Sequence, residues 1–142
     1  MNEQYEKSLS KLELDKVLSL LADHASSQAA KDRCMAIRPS ADADEIRHLL
    51  EETSAACKCI TIKGSPSFGG LYDVGASLDR AYRGGCLSPE ELLRVATVLK
   101  AARTAKEYAE GDAVESCLDI FFRQLTPNKF FEERIFTSIL SK

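Results

Sequence analysis

Apolar residues recur at steps of three and four along most of the chain, which is the spacing of helices that bury one face. The first series contains Leu14, Val17, Leu18, Leu21 and Ala25. Ser10 and Glu13 have the spacing of a capping box, in which each side chain accepts a hydrogen bond from a backbone N–H at the helix start. The pattern predicts a helix from about Lys11 to Ala25.

Two more helices are expected before residue 64. Ser26 or Ser27 is placed to cap a short helix, which must end before Pro39 because proline disfavours a helical residue ahead of it. Asp42 then caps a long third helix, whose apolar stripe consists of Ile46, Leu49, Leu50, Thr53, Cys57 and Ile60. The β propensity of residues 59–62 leaves a short strand near Thr61 and Ile62 as the alternative for its end.

Residues 63–70 are the clearest loop, with three glycines and one proline in the sequence KGSPSFGG. A connection between helices is the favoured interpretation, and a flexible hinge or a binding loop is the alternative. The loop does not match GxxxxGK[ST], because no Lys-Ser or Lys-Thr follows its glycines, so it predicts no nucleotide site.

The second half of the chain has the strongest helix start. Ser88 is placed as the cap, Pro89 occupies the first helical position and Glu91 completes a capping box. This helix should run over residues 89–110, after a shorter helix that ends at Gly84-Gly85. Two further helices are expected to begin near Asp112 and near Thr126-Pro127.

Together these elements predict an all-α fold of five to seven helices, in a single multi-helix domain over residues 1–142. No internal repeat of solenoid length aligns. Twelve residues are expected in the core: Leu14, Val17, Leu18, Leu21, Ile46, Leu49, Leu50, Leu92, Val95, Leu99, Leu118 and Ile135.

Composition is that of an ordinary globular domain, with 44% hydrophobic and 29% charged residues. The formal charge of -3 lacks the basic excess of an independent nucleic-acid binder. The N-terminus has neither a basic start nor an apolar signal-peptide core, which predicts a cytoplasmic protein without a membrane partner.

Few residues suggest catalysis or metal binding. The five cysteines lack the spacing of a zinc or redox site and are expected to be mostly small core residues. His24 and His48 have no neighbouring nucleophile pattern. The adjacent acidic pairs at 51–52, 90–91 and 132–133 point in different directions on a helix, and each is expected at a helix start or on an exposed face. We therefore predict no catalytic residue, no cofactor-binding residue and no metal ligand.

Basic residues are the candidates for a nucleic-acid-binding site. Arg94, Lys100, Arg103 and Lys106 lie on the helix predicted at 89–110, and the last three step by three along one side. Lys63, Arg80 and Arg83 lie near the glycine loops. These cations could contact phosphates together, although a solvated helix face interrupted by glutamates is the favoured interpretation.

Several segments in order resemble the N-terminal region of the second type of bacterial MutS protein. They are LELDKVL at 12–18, RPS at 38–40, LLEETSAA at 49–56, GGLYDV at 69–74 and GGCLSPEELL at 84–93. The resemblance extends over roughly residues 9–140. No single motif is diagnostic, but the ordered set is specific.

The resemblance implies that residues 1–142 form the helical start of the core and lever region of a larger protein. That family carries a homodimeric ATPase, which uses ATP and magnesium, and usually an Smr nuclease domain. It is linked to branched-DNA binding, suppression of recombination and rescue of collided ribosomes. The chain has none of the active segments, so it is expected to be non-catalytic and to act with the rest of the parent chain. The alternatives are a direct nucleic-acid-binding module and a helical protein-interaction adaptor unrelated to MutS.

Overall fold

The computed structural model of the protein describes residues 7–8, 11–69, 71–110 and 116–140, and most of these residues are helical. Within them lie seven main helices: α1 (Leu14–Asp23), α2 (Gln28–Ala36), α3 (Ala43–Lys63), α4 (Gly75–Tyr82), α5 (Pro89–Glu110), α6 (Asp119–Arg123) and α7 (Lys129–Leu140). No strand occurs in these described ranges. The predicted all-α fold is confirmed. The helix starts predicted at Ser10 and at Asp112 with Glu115 rest on residues that fall outside the described ranges.

The alternative of a strand near Thr61 and Ile62 is wrong, because both residues belong to α3. The Thr61 hydroxyl donates a hydrogen bond to the Cys57 carbonyl at 2.8 Å, within its own helix. This bond satisfies a β-branched residue inside the helix, so its β propensity does not decide the structure.

Side-chain caps set the starts of several helices. Ser27 accepts a hydrogen bond from the Ala30 N–H, and Asp42 accepts from the N–H groups of Asp44 and Glu45. Gly84, which follows α4, has the left-handed φ of 86° that glycine adopts without strain. These starts and this stop agree with the sequence prediction.

Two predicted starts are wrong. α1 begins at Leu14 rather than Lys11, because Glu13 adopts a left-handed φ of 54° and its side chain makes no cap. α7 begins at Lys129 rather than at Thr126-Pro127, because the Asn128 side chain accepts a hydrogen bond from the Phe131 N–H at 3.1 Å. Asparagine is a good N-cap, so its position was the better signal.

The chain divides into two compact units, residues 1–39 and residues 40–142. In the first unit α1 packs against α2, and Leu18 and Ala22 are its buried residues. In the second unit α5 is the central element and packs against both α6 and α7. Ala96 of α5 is 0% exposed, and Ala101 and Ala105 are also buried. The buried residues of α5 are therefore all small.

The predicted core list is largely wrong. Of its twelve residues, only Leu18 is buried; Leu14, Leu92, Val95, Leu99, Leu118 and Ile135 are half-buried, and Val17, Leu21, Ile46, Leu49 and Leu50 are exposed. The prediction that most cysteines are core residues is also wrong, because only Cys59 is buried and Cys57, Cys86 and Cys117 are exposed. A periodic stripe shows that a helix is amphipathic. Its residues become buried only where another part of the chain packs on them, and several stripes are exposed in the described structure.

Helix α3 shows the difference most clearly. It is buried on the side that carries Ala55, Ala56 and Cys59, whereas its large apolar residues lie on another side and are exposed. With about 100° between successive residues, the two sides are roughly a third of a turn apart. We call Ile46, Leu49, Leu50, Thr53, Cys57 and Ile60 the α3 stripe.

Candidate nucleic-acid interface

The four candidate cations of α5 are positioned by the cap at the start of this helix. The Ser88 N–H donates to the Glu91 carboxylate at 2.9 Å, and the Glu91 N–H donates to the Ser88 hydroxyl at 3.3 Å. The predicted capping box is therefore present. It fixes where the helix begins, and the period of 3.6 residues per turn then sets which side of α5 each cation occupies.

Arg103 points towards α7 and pairs with Glu132. Its Nε donates to Glu132 Oε2 at 2.9 Å and its Nη2 donates to Oε1 at 2.8 Å, while Nη1 donates to Glu107 Oε1 at 2.9 Å. Two parallel bonds of this kind are the strongest geometry for an arginine and a carboxylate. Arg103 therefore joins two helices and has both sides of its guanidinium occupied.

Glu132 is the only polar or charged residue that is buried among those the structure describes, at 5% exposure. The hydrogen bonds from Arg103 hold the pKa of Glu132 below its usual range, although burial acts in the opposite direction, and nearby Lys100 and Lys129 add to the lowering. The pKa of Arg103 is raised, first by Glu132 and then by Glu107. Both groups are therefore charged at neutral pH.

Glu132 was expected at a helix start or on an exposed face, and it lies in the first turn of α7, but its burial was not predicted. The sequence contains a signal for this burial, because Glu132, Ile135, Phe136 and Ile139 have the spacing of one helix face. Arg103 likewise continues the series Leu92, Ala96 and Leu99 on α5. A charge that lies in line with an apolar stripe on each of two helices indicates an ion pair between them.

The other cations of α5 differ in exposure. Lys106 Nζ donates to the Leu125 carbonyl at 3.2 Å, just beyond α6. Arg94 pairs with Glu90 at 2.6 Å and lies 5.8 Å from the ring centroid of Tyr72. Lys100 is exposed, and within the described residues its side chain makes no hydrogen bond or ion pair. Of the four candidates, Lys100 is the cation most accessible to a phosphate.

The cations near the glycine loops mostly have internal partners as well. Lys63 donates to the carbonyls of Tyr108 and Ala109, each at 3.2 Å, near the C-terminal end of α5. The Tyr108 hydroxyl donates in turn to the Gly64 carbonyl at 2.9 Å, and burial raises the pKa of Tyr108. These bonds connect the end of α3 to the end of α5.

Arg80 contributes to a second polar cluster, where it pairs with the Glu91 carboxylate. The Ser88 N–H, Arg80 and the Ser77 hydroxyl lower the pKa of Glu91 to about 2, in that order of importance. Arg83 is exposed beside Arg80 in a shallow depression that Ala76 and Gly85 also line. The structure therefore does not bring the seven candidate cations together on one open surface.

Sequence reasoning missed an apolar groove on the other side of α5. Its volume is about 480 Å³. It is lined by Phe68, Leu71, Val98, Ala101, Ala102, Ala105, Leu118, Phe121, Phe122 and Leu125. Alanines at three positions of α5 leave room that larger side chains would fill. The groove has no charged lining residue, so it is suited to an apolar partner rather than to nucleic acid.

No group of three or more His, Cys, Asp or Glu residues in the described ranges is arranged to hold a metal ion. Among the described helices, none combines the length and the apolar character needed to cross a membrane.

Comparison with known proteins identifies relatives over nearly the whole chain. The chain is 36% identical over 141 residues to Endonuclease MutS2 of Acetivibrio thermocellus, which covers 96% of this chain and 18% of the relative. It is 36% identical to Endonuclease MutS2 of Clostridium beijerinckii and 35% identical to that of Ruminiclostridium cellulolyticum, with the same coverage. No family model matches the chain. The chain thus spans less than a fifth of the length of these relatives.

Proposed function

The chain is a homologue of part of the MutS2 proteins, and we propose that it serves as a non-catalytic helical segment of a MutS2-like protein. In this role it forms the start of the core and lever region and passes movements between the ATPase and the nucleic-acid or ribosome clamp. The homology removes the hypothesis of an adaptor unrelated to MutS.

The observation that carries this proposal is the paired contact between Arg103 and Glu132. It fixes α7 to α5 with two hydrogen bonds, and Glu107 holds the same guanidinium from within α5. Helices joined in this way move as one body, which is what transmission between distant sites requires. The chemistry of the parent, including ATP, magnesium, dimerisation, DNA cleavage and ribosome binding, then belongs to segments beyond this chain.

A direct nucleic-acid-binding module is the second candidate, and exposed Lys100 is the observation that favours it. Each phosphate contact adds about one unit to the salt slope of binding. Since Arg103, Lys106 and Arg94 have internal partners, the described surface offers few such contacts. We expect weak, salt-dependent and sequence-independent binding of DNA by the chain alone.

A replacement experiment tests the first proposal. The segment of the Acetivibrio thermocellus relative that matches this chain is exchanged for the chain itself. We expect a soluble chimera that hydrolyses ATP and unfolds cooperatively like the unmodified relative. An aggregated chimera, or one that unfolds separately from the rest of the protein, would contradict the proposed role.

Titration of a fluorescent branched DNA at two salt concentrations tests the second candidate. The informative variant is Lys100→Glu, because Arg103→Glu would place a second carboxylate against Glu132 and damage the fold. Submicromolar affinity of the chain at about 150 mM salt, lost in Lys100→Glu, would favour direct binding over the mechanical role. Lys129→Glu is the matched control on α7.

A further inference from the structure

The C-terminal end of α5 is completed by a residue of α3. The last turn of α5 contains no basic residue, and Lys106, just before it, donates to the Leu125 carbonyl. The last carbonyls of a helix have no partner within the helix, and the negative end of the helix dipole favours a cation there. Lys63, the last residue of α3, supplies this cation. Its Nζ donates to the carbonyls of Tyr108 and Ala109, each at 3.2 Å.

Tyr108 makes the reciprocal contact from α5. Its hydroxyl donates to the Gly64 carbonyl at 2.9 Å, and its ring centroid lies 5.6 Å from Lys63 Nζ. Gly64 has a φ of 77° and a ψ of 176°, a combination that is essentially restricted to glycine. Burial and, to a smaller extent, the nearby Cys59 raise the pKa of Tyr108, so the phenol stays protonated as a donor. We call these contacts of Lys63 and Tyr108 the α3–α5 latch.

The attachment of α3 to α5 is concentrated at the latch. Cys59, one turn before Lys63, is the only buried residue of α3, a helix that the structure describes completely. Within the part of the chain that is described, no extended helix packing joins α3 to α5, α6 or α7. The middle of α3 and Ser116 line an open groove of about 380 Å³. All of these residues belong to the unit formed by residues 40–142, so the latch does not involve residues 1–39.

The contacts of α5 with α7 are of a different kind. These two helices pack closely, and the buried Glu132 accepts two hydrogen bonds from Arg103 between them. A folded protein opens locally where few buried contacts must be broken. Separation of α5 from α7 would break a buried ion pair, whereas separation of α3 from α5 breaks three hydrogen bonds of half-buried or exposed groups. The end of α3 is therefore the easier place to open.

We infer that the α3–α5 latch opens and closes in the folded chain, so that α3 detaches from α5 while α5, α6 and α7 stay packed as one body. The hinge is the non-helical segment 64–68, which begins with Gly64. A few loop residues of this kind can absorb the change in backbone angles. The attachment of α3 thus depends on one lysine and one tyrosine. This inference concerns contacts within the chain and holds whether or not the parent protein uses the chain as a lever.

Cys59 reports on the opening, because its thiol is buried beside Tyr108. Its rate of maleimide labelling is measured by mass spectrometry in the folded full chain, with exposed Cys86 as the internal standard. Lys63→Met keeps the apolar stem of the side chain but removes its charge and both of its hydrogen bonds. We expect Cys59 to be labelled at least about 10-fold faster in this variant, as for the loss of bonds from a charged donor. Hydrogen exchange of the α7 amides should not change.

A second variant and two controls separate the latch from other effects. Tyr108→Phe removes only the hydroxyl, so labelling of Cys59 should become about 2- to 10-fold faster. Lys58→Met changes an exposed lysine of the same helix, and Tyr82→Phe changes a tyrosine that is 94% exposed. Neither control should alter the labelling of Cys59.

Two results would overturn the inference. In the first, Cys59 is labelled at the same rate in Lys63→Met as in the unmodified chain. In the second, exchange of the α7 amides accelerates by the same factor as the labelling of Cys59, which means that the thiol becomes accessible only when the whole unit unfolds. If Lys63→Met loses its helical signal, the same two measurements on Tyr108→Phe decide the question.

Discussion

Helices α3 and α5 are the two longest helices that the structure describes. They share a periodic apolar pattern, but their apolar residues differ in exposure. Both are amphipathic and both begin at side-chain caps, Asp42 for α3 and Ser88 for α5. The core side of α5 meets α6 and α7, and it holds Ala96 at 0% exposure. The buried residues of both helices are small, but the large apolar residues of α3 are exposed, whereas Leu92, Val95 and Leu99 of α5 are half-buried. Amphipathic pattern therefore predicts the helix but not the identity of its partner.

The largest expected effect comes from the ion pair that fixes α7 to α5. Glu132→Gln removes the charge that accepts two hydrogen bonds from Arg103 in a buried position. It should lower the free energy of unfolding by about 1.5–3 kcal/mol, measured by urea denaturation. The matched control is Glu133→Gln, whose carboxylate lies 3.6 Å from Lys129 and is exposed. A Glu132→Gln protein as stable as the control would show that α5 and α7 do not depend on this pair.

Ala96→Leu tests the close packing of α5. The added atoms have no space at a position with 0% exposure, so unfolding should become easier by about 1–3 kcal/mol. The same denaturation experiment applies, with the helical signal at zero urea as a check on folding. An unchanged or increased stability would mean that this part of the core contains unfilled space.

The pH dependence of stability tests the electrostatics around α5. The pKa of Glu91 is about 2 in the folded chain against an ordinary value of 4.5, and the pKa of Glu132 is also lowered. A depressed carboxyl pKa stabilises the fold above the unfolded pKa, and this stabilisation is lost as the pH falls from about 4.5 towards 2. Glu91→Gln should therefore lose less stability than the unmodified chain between about pH 5 and pH 3. Equal losses would contradict the predicted role of the Glu91 cluster.

The smallest effect is expected on α3. Leu50→Ala removes an apolar side chain that is 61% exposed, so the free energy of unfolding should change by less than about 0.5 kcal/mol. A loss of more than about 1 kcal/mol would show that the α3 stripe already has a partner within the chain. Together with Ala96→Leu, this substitution separates the packed helix from the open one.

The sequence predicts the local structure well because caps act over a few residues. Ser27, Asp42 and Ser88 each accept the backbone hydrogen bonds expected of them, and Gly84 stops α4. The predicted starts at Lys11 and at Thr126-Pro127 are wrong because a left-handed Glu13 has no sequence signature and because the Asn128 side chain caps α7. Burial was predicted poorly, since it depends on which helices meet and not on periodicity alone.

The candidate cations illustrate the same limit. Lys100, Arg103 and Lys106 step evenly along α5, which suggested one basic face. In the structure Arg103 contacts α7 and Lys106 contacts the carbonyl beyond α6, so only Lys100 remains open among these three. The sequence contained the correction for Arg103, whose position continues the apolar stripe, but not for Lys106.

Two cysteines of α3 allow the most direct test of the contrast between its packed and open sides. Cys57 lies on the exposed α3 stripe, and Cys59, two residues later, is buried at 9% exposure. The labelling rate of each thiol with a maleimide is measured in the folded 142-residue chain and again in urea. We predict that Cys57 reacts almost as fast in the folded chain as in urea, while folding slows Cys59 by at least about 100-fold. Equal protection of both cysteines, or protection of Cys57 alone, would contradict the account.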